Sequence, residues 1–203
     1  MISRKRSRAA SALLIGAGAF TLTACEEPRD LTFFENSDQC RRAADMAEFS
    51  AADCDAAFRT ALAEHATQAP RYESLALCGE QHGAGVCAPP QAAGGVADDP
   101  QTQEAGFSYM PFIMGYMMGN MMRSGAADYV GRPLYRDART GAMHSSGGDR
   151  MAFAAPGSKV SGSSAQIRPV TAARPAPPMT RAAVASAGGF GAARTAALRS
   201  VGG

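Results

Sequence analysis

The chain has 203 residues and a formal net charge of +2, and its 46% hydrophobic content is built largely from Ala, with 22 Gly, 12 Pro, no Trp and 7% aromatic residues. So few bulky apolar side chains cannot give the whole length one well-packed core. The composition therefore predicts a mostly disordered chain with a small α-helical, disulfide-stapled N-terminal module and a short apolar Met-rich helix. No stretch approaches the roughly 20 apolar residues that cross a bilayer, which excludes a polytopic membrane protein.

Residues 1–24 have the form of a lipoprotein signal peptide. Arg4, Lys5, Arg6 and Arg8 precede an apolar run from Ala9 to Ala24. The run ends in Leu22-Thr23-Ala24-Cys25, a lipobox in which small residues fit the signal peptidase and the Cys thiol takes a diacylglycerol thioether before cleavage. Cys25 is thus the predicted lipidation site and first residue of the mature protein. A thioether-linked diacylglycerol plus an amide-linked chain such as palmitate suffices for stable attachment without a spanning helix. The expected location is the bacterial cell envelope, lipid-anchored to a membrane and facing the periplasm. Removing residues 1–24 leaves 16 Lys+Arg against 18 Asp+Glu, and the charge is divided: Glu26 to Glu104 holds 15 acidic residues and five Arg, Ala105 to Gly203 holds 11 basic and three acidic.

Residues 25–88 read as the anchor and a Cys-rich helical module. Cys40, Cys54, Cys78 and Cys87 are an even number in an oxidising compartment, which predicts two disulfides. Three pairings are possible, and the short local loops favour Cys40–Cys54 and Cys78–Cys87. A metal site needs closer ligand pairs such as C-x-x-C, so Cys78, His82 and Cys87 are the weaker alternative and no metal or cofactor is expected. Ser50 and Asp53 form a capping-box pattern ahead of Cys54, Ala57, Phe58, Ala61, Leu62 and His65 at helical spacing. That helix should stop before Pro70, with Ser37 and Ser74 capping shorter helices around Cys40 and Cys78, the last ending near Gly83.

Residues 89–106 lack periodicity and read as a linker. Residues 107–140 are expected to form a Met/Gly-rich apolar helix and turn. Met110, Met114, Met117, Met118, Met121 and Met122 fall along one side of a helix starting near Pro111, with Gly115 and Gly119 leaving a groove. This strip is the predicted contact for an envelope protein partner, for self-association or for the membrane surface. Thioethers also select Cu(I), so a Cu(I)-binding envelope protein is the alternative function. In residues 141–203, Ala, Gly, Ser and Pro supply 39 of 63 positions, which predicts a basic disordered tail that is merely solvated, the alternative being that its scattered Arg residues touch anionic lipid headgroups, lipopolysaccharide or the acidic N-terminal half.

No nucleophile elbow, P-loop, HExxH helix or dinucleotide fingerprint occurs, and His65 and His144 stand alone in sequence. Asp53 and Asp55, or Asp98 and Asp99, read as solvated charges rather than an acid/base pair. The predicted function is non-enzymatic, with no catalytic residue and no nucleic-acid partner.

Taken in order, Leu22-Thr23-Ala24-Cys25, Ser37-Asp38-Gln39-Cys40, Ala69-Pro70-Arg71-Tyr72, Gly83-Ala84-Gly85-Val86-Cys87, Met110-Pro111-Phe112, Gly115-Tyr116-Met117-Met118-Gly119 and Gly188-Gly189-Phe190-Gly191 give the chain a recognisable pattern. It resembles the Gram-negative envelope lipoproteins grouped as domain of unknown function 1190 (UPF0441). The resemblance covers most of the mature chain, the linker and tail only loosely. It implies a lipoprotein of unestablished activity, often encoded near an ATP-grasp ligase resembling glutathionylspermidine synthase, and it implies no catalytic residue. His82 departs from the pattern, since family members tend to carry an aromatic residue there, which argues against a ligand role.

Overall fold

Ser50 accepts a hydrogen bond from the Asp53 backbone N–H while Asp53 accepts one from the Ser50 N–H at 2.8 Å, and this capping box starts the longest helix, α2 (Ala51–Gln68). The computed structural model describes residues 28–44, 46, 48–91, 93, 108–123, 126–153, 155–168 and 175–190. The predicted signal peptide (residues 1–24), Cys25, most of the predicted linker (residues 89–106) and residues 191–203 lie outside them. Before α2 come strand β1 (Arg29–Phe34) and helix α1 (Ser37–Ala44); after it come α3 (Leu75–His82) and β2 (Cys87–Ala88). Asn36, not Ser37, caps α1 by accepting from the Gln39 N–H at 2.9 Å, because the Ser37 hydroxyl donates to Asp55 at 2.7 Å. Ser74 caps α3 as its sequence position predicts, and α2 ends ahead of Pro70.

The rest of the described chain overturns the expectation of disorder. Strands β3 (Met110–Pro111), β4 (Tyr116–Arg123), β5 (Ala126–Arg136), β6 (Met143–Ser145), β7 (Arg150–Met151) and β8 (Lys159–Gly162) follow, then short helices α4 (Ser164–Ile167) and α5 (Arg181–Ala187). Six strands form one antiparallel sheet in the order β7-β6-β5-β4-β1-β8, curled into a half-barrel, and β2 pairs with β3 in a second, two-stranded sheet. The register sets Leu31 opposite Gly119 and Phe34 opposite Tyr116, so β1 lies beside a strand more than 80 residues away in sequence.

The Met-rich segment is therefore a strand, not a helix. Gly115 has φ +139°, a conformation that L side chains rarely adopt, and it interrupts any helix begun at Pro111. Beyond it the side chains alternate. Tyr116 and Met118 enter a core with Phe34, Cys40, Cys54, Ala57 and Ala61 under α1 and α2. Met117 enters the opposite core with Leu31, Phe33, Leu134, Met151 and Ile167, where the half-buried Met121 also packs. A central strand covered on both faces carries apolar residues at consecutive positions, which is how two cores are filled from a chain poor in large side chains.

The tail is also corrected. Residues 175–190 dock on the N-terminal module: Met179 donates its N–H to the Arg71 carbonyl and accepts from the Glu73 N–H, and Phe190 is buried beside Tyr135, Met110 and Ala69. The split charge of the sequence has a structural counterpart. Arg181 contacts Glu80 at 2.7 Å, Lys159 approaches Asp30 at 3.8 Å and Arg132 contacts Glu64 at 2.7 Å, each pair joining the basic half to the acidic one.

Candidate functional site

Both disulfides lie in the helical layer. Cys40–Cys54 bridges α1 to α2 over a Cα–Cα distance of 5.7 Å, and Cys78–Cys87 ties α3 to β2 over 6.2 Å. Cys40, Cys54 and Cys78 are fully buried, with the Cys40 sulfur 3.7 Å from that of Met118. Closing loops of this size stabilises by about 2–3 kcal/mol each. Among the described residues no group of three or more His, Cys, Asp and Glu side chains could hold a metal ion.

The buried stripe of α2 differs from its predicted membership in one telling way. Cys54, Ala57, Ala61 and His65 face inward, but Leu62 is 39% exposed and Glu64 is only 6% exposed. Glu64 is held by Arg132 of β5, whose Nε lies 3.0 Å from both carboxylate oxygens and whose Nη2 lies 2.7 Å from one. Arg132 also donates to Ser146 Oγ at 2.8 Å and to the Gln166 carbonyl at 3.0 Å, and Ser146 donates to Glu64. A fork of guanidinium donors thus ties α2, β5, the β6–β7 turn and α4 around one desolvated charge pair. Reading the sequence missed both partners; a carboxylate at the helical spacing of the stripe was the available signal.

The three histidines, isolated in sequence, converge. His65 Nε2 donates to the Ala93 carbonyl at 2.6 Å and its Nδ1 accepts from the Tyr135 hydroxyl at 2.9 Å. His82 Nδ1 donates to the Arg136 carbonyl at 2.8 Å and its Nε2 accepts from the Tyr72 hydroxyl at 2.8 Å. Phe190 sits edge-on to His82 at 4.3 Å and to His144 at 5.5 Å, and His144 Nδ1 is 3.2 Å from the Gly148 carbonyl. Burial lowers the pKa of His65 and pushes that of His82 down to about 4, so both rings are neutral near pH 7. With both nitrogens of His65 and His82 engaged, these rings organise the core and leave no nitrogen for a substrate proton.

The predicted partner strip is dispersed. Met110, Met117 and Met118 lie in three separate buried clusters, while Met114 and Met121 are half-buried. The strand places Met122, but its side chain lies outside the description. A Cβ on Gly115 would stand 2.5 Å from the Phe33 ring and 2.6 Å from the Phe34 carbonyl oxygen, and one on Gly119 would stand 2.7 Å from Leu31 and 2.8 Å from Ile167. Both glycines admit neighbours within the fold rather than a groove for a partner. Among the described residues the thioethers of Met110, Met117 and Met118 fall in three separate clusters and so do not face one ion.

Two further features shape the surface. Arg41 bridges Asp38 and Asp55, and the hydrogen bond from Ser37, aided by Arg41, holds the Asp55 carboxyl below its ordinary range. Between α3 and α5, Arg139 donates to the Gly188 carbonyl at 3.0 Å and seals the docked C-terminal segment. Among the described residues no helix is long and apolar enough to cross a membrane.

The profile of a family described as Protein of unknown function (DUF1190) matches residues 28–201. A UPF0441 protein of Pectobacterium atrosepticum is 35% identical over 131 residues, covering 63% of this chain and 56% of the relative. Another, from Pectobacterium carotovorum, is 34% identical over 131 residues with the same coverage. The matched segment thus spans little more than half the length of these relatives. No solved structure matches the chain.

Proposed function

We propose a role from one premise: this chain belongs to the family described as Protein of unknown function (DUF1190). It is a lipid-anchored, non-enzymatic protein of the bacterial envelope, attached through Cys25 and acting as a structural or partner-binding module on the periplasmic side of a membrane. The observation that supports this reading most is the cysteine inventory. Four of the five Cys are joined in two disulfides, three of them fully buried, which suits an oxidising compartment, and the fifth closes the lipobox. A non-enzymatic role accords with polar centres spent internally: Arg132, Glu64 and Ser146 bond to one another, and His65 and His82 bond to tyrosines and backbone.

Intact mass of the membrane-extracted protein, taken with and without alkylation under non-reducing conditions, tests the reading. A chain starting at Cys25, carrying acyl groups and refusing alkylation at the other four Cys is the expected result. An unprocessed N-terminus or four reactive thiols would refute it.

A further inference from the structure

The two disulfides are not equally shielded. Cys40 and Cys54 are both fully buried in the core beneath α1 and α2. Cys78 is buried as well, but its partner Cys87 is only half-buried and lines a cleft of about 520 Å³. The cleft lies between α3 and the chain leading into β2, and Leu75, Ala76, Gly79, Glu80, Ala84 and Gly85 complete its wall. Leu75 is 50% exposed, so much of that wall is apolar surface already open to solvent. A Cβ on Gly85 would meet nothing within 4 Å, and one on Gly79 would find its nearest neighbour, the Ala84 Cα, at 3.9 Å, which leaves the space beside them clear. Glu80 supplies the one carboxylate of the wall, and both terminal nitrogens of Arg181 hold it at 2.7 and 2.8 Å. That pairing screens its repulsion of an approaching thiolate.

We propose that Cys78–Cys87 is a thiol-exchange site, at which a small uncharged thiol enters this cleft and its thiolate attacks the Cys87 sulfur. The new sulfur–sulfur bond forms as the Cys78–Cys87 bond breaks, and Cys78 leaves with the electron pair as a thiolate that takes a proton from water. A second molecule of the same thiol attacks the small-molecule sulfur of the mixed disulfide and releases Cys87. The two cysteines have then gained two electrons and two protons, and the two small thiols have become their own disulfide. The exchange reaches beyond the cleft. Cys78 shares a cluster with Tyr72, Leu77 and Val184 of α5, and Cys87, Tyr109 and Met179 pack against it. Opening the bond frees β2 from α3 and loosens the seat of α5, so the site controls how firmly residues 175–190 are docked.

Folded, disulfide-intact full-length protein is incubated with mercaptoethanol without denaturant, quenched with acid at intervals and mapped by non-reducing peptide mass spectrometry. The expected result is a mercaptoethanol adduct on Cys87 with a free thiol on Cys78, formed at least several-fold faster than Cys40–Cys54 opens. Equal rates, earlier opening of Cys40–Cys54, an adduct on Cys78 instead, or no opening until denaturant is added overturns the proposal. Ala76→Phe, at an exposed position of the cleft wall, should slow formation of the Cys87 adduct several-fold and leave Cys40–Cys54 unaffected. An unchanged rate in that folded variant refutes entry through the cleft, and the result on the unsubstituted protein stands whether or not the variant folds. Amide exchange in peptides covering 180–190 should rise once Cys78–Cys87 is open; unchanged exchange there overturns the control of docking.

Discussion

Glu64 and Arg132, 68 residues apart, form a desolvated charge pair in which Arg132 is 2% exposed and one guanidinium serves two carboxylate oxygens, a serine hydroxyl and a helix-end carbonyl. Removing one member of such a pair strands the other charge in the interior and costs about 3–5 kcal/mol. Glu64→Gln and Arg132→Met should each lower the urea midpoint of a soluble, disulfide-intact form by that order. The double substitution Glu64→Met with Arg132→Met should cost clearly less than the sum of the two single changes. Additive losses in the double-mutant cycle would show that the pair is not coupled.

Acid should loosen the histidine-lined core. His82 protonates in the unfolded chain near its ordinary 6.5 but in the folded protein only at about 4, so over that interval the unfolded state binds more protons and stability falls as pH falls. The loss reaches about 3 kcal/mol from His82, and His65, shifted in the same direction by burial, adds to it. The lowered carboxylates Asp55 and Glu80 give up their contribution only as pH falls below their ordinary values, 3.8 and 4.5. Thermal melts between pH 7 and pH 4 should show a steady fall in Tm that His82→Phe flattens; a flat profile for the parent protein contradicts the assignment.

Two glycine-to-alanine changes should have opposite signs. A Cβ on Gly131 of β5 would run into the Ala57 carbonyl oxygen and carbon, so Gly131→Ala must push α2 off the sheet and destabilise by about 1–3 kcal/mol or more. Gly79 lies within α3 with its nearest neighbour 3.9 Å from a Cβ, so Gly79→Ala should stabilise by about 0.5–1 kcal/mol. Denaturant titrations of the two variants side by side give the comparison.

Removing the bridge between α1 and α2 with Cys40→Ala and Cys54→Ala should cost about 2–3 kcal/mol, lowering Tm by very roughly 5–10 °C in a chain of this size. The bridge sits in the same core as Met118 and Tyr116, so the loss should appear in near-ultraviolet circular dichroism of the tyrosines as well. A Tm unchanged from the parent would mean the helical layer does not depend on it.

Local features were legible because their causes are local. The Ser50–Asp53 capping box, the Ser74 cap, the stop before Pro70 and the two Cys loops with separations of 14 and 9 residues each depend on side chains a few residues apart, or on a short loop whose closure is favoured over longer ones. Tyr116-Met117-Met118 carries no legible strand signal, because a strand buried on both faces shows a continuous apolar run with no alternation to betray it. The short strands of the tail, Met143–Ser145, Arg150–Met151 and Lys159–Gly162, are only two to four residues long and borrow their order from neighbours rather than from their own composition.

By itself, then, the sequence determined helices α2 and α3 with their Ser50 and Ser74 caps, the two disulfide pairings and the family to which the chain belongs. Only the tertiary structure decided that β1 is central to a sheet, that Met117 and Met118 serve opposite cores, that Glu64 finds Arg132, and that three scattered histidines meet at Tyr135 and Phe190. Those relationships join residues tens of positions apart, and each is selected by what else packs around it. A buried carboxylate is tolerable only where a guanidinium arrives, and a neutral histidine only where hydroxyl and carbonyl partners meet its two nitrogens. Such conditions are properties of the assembled core, and no window of the chain contains them.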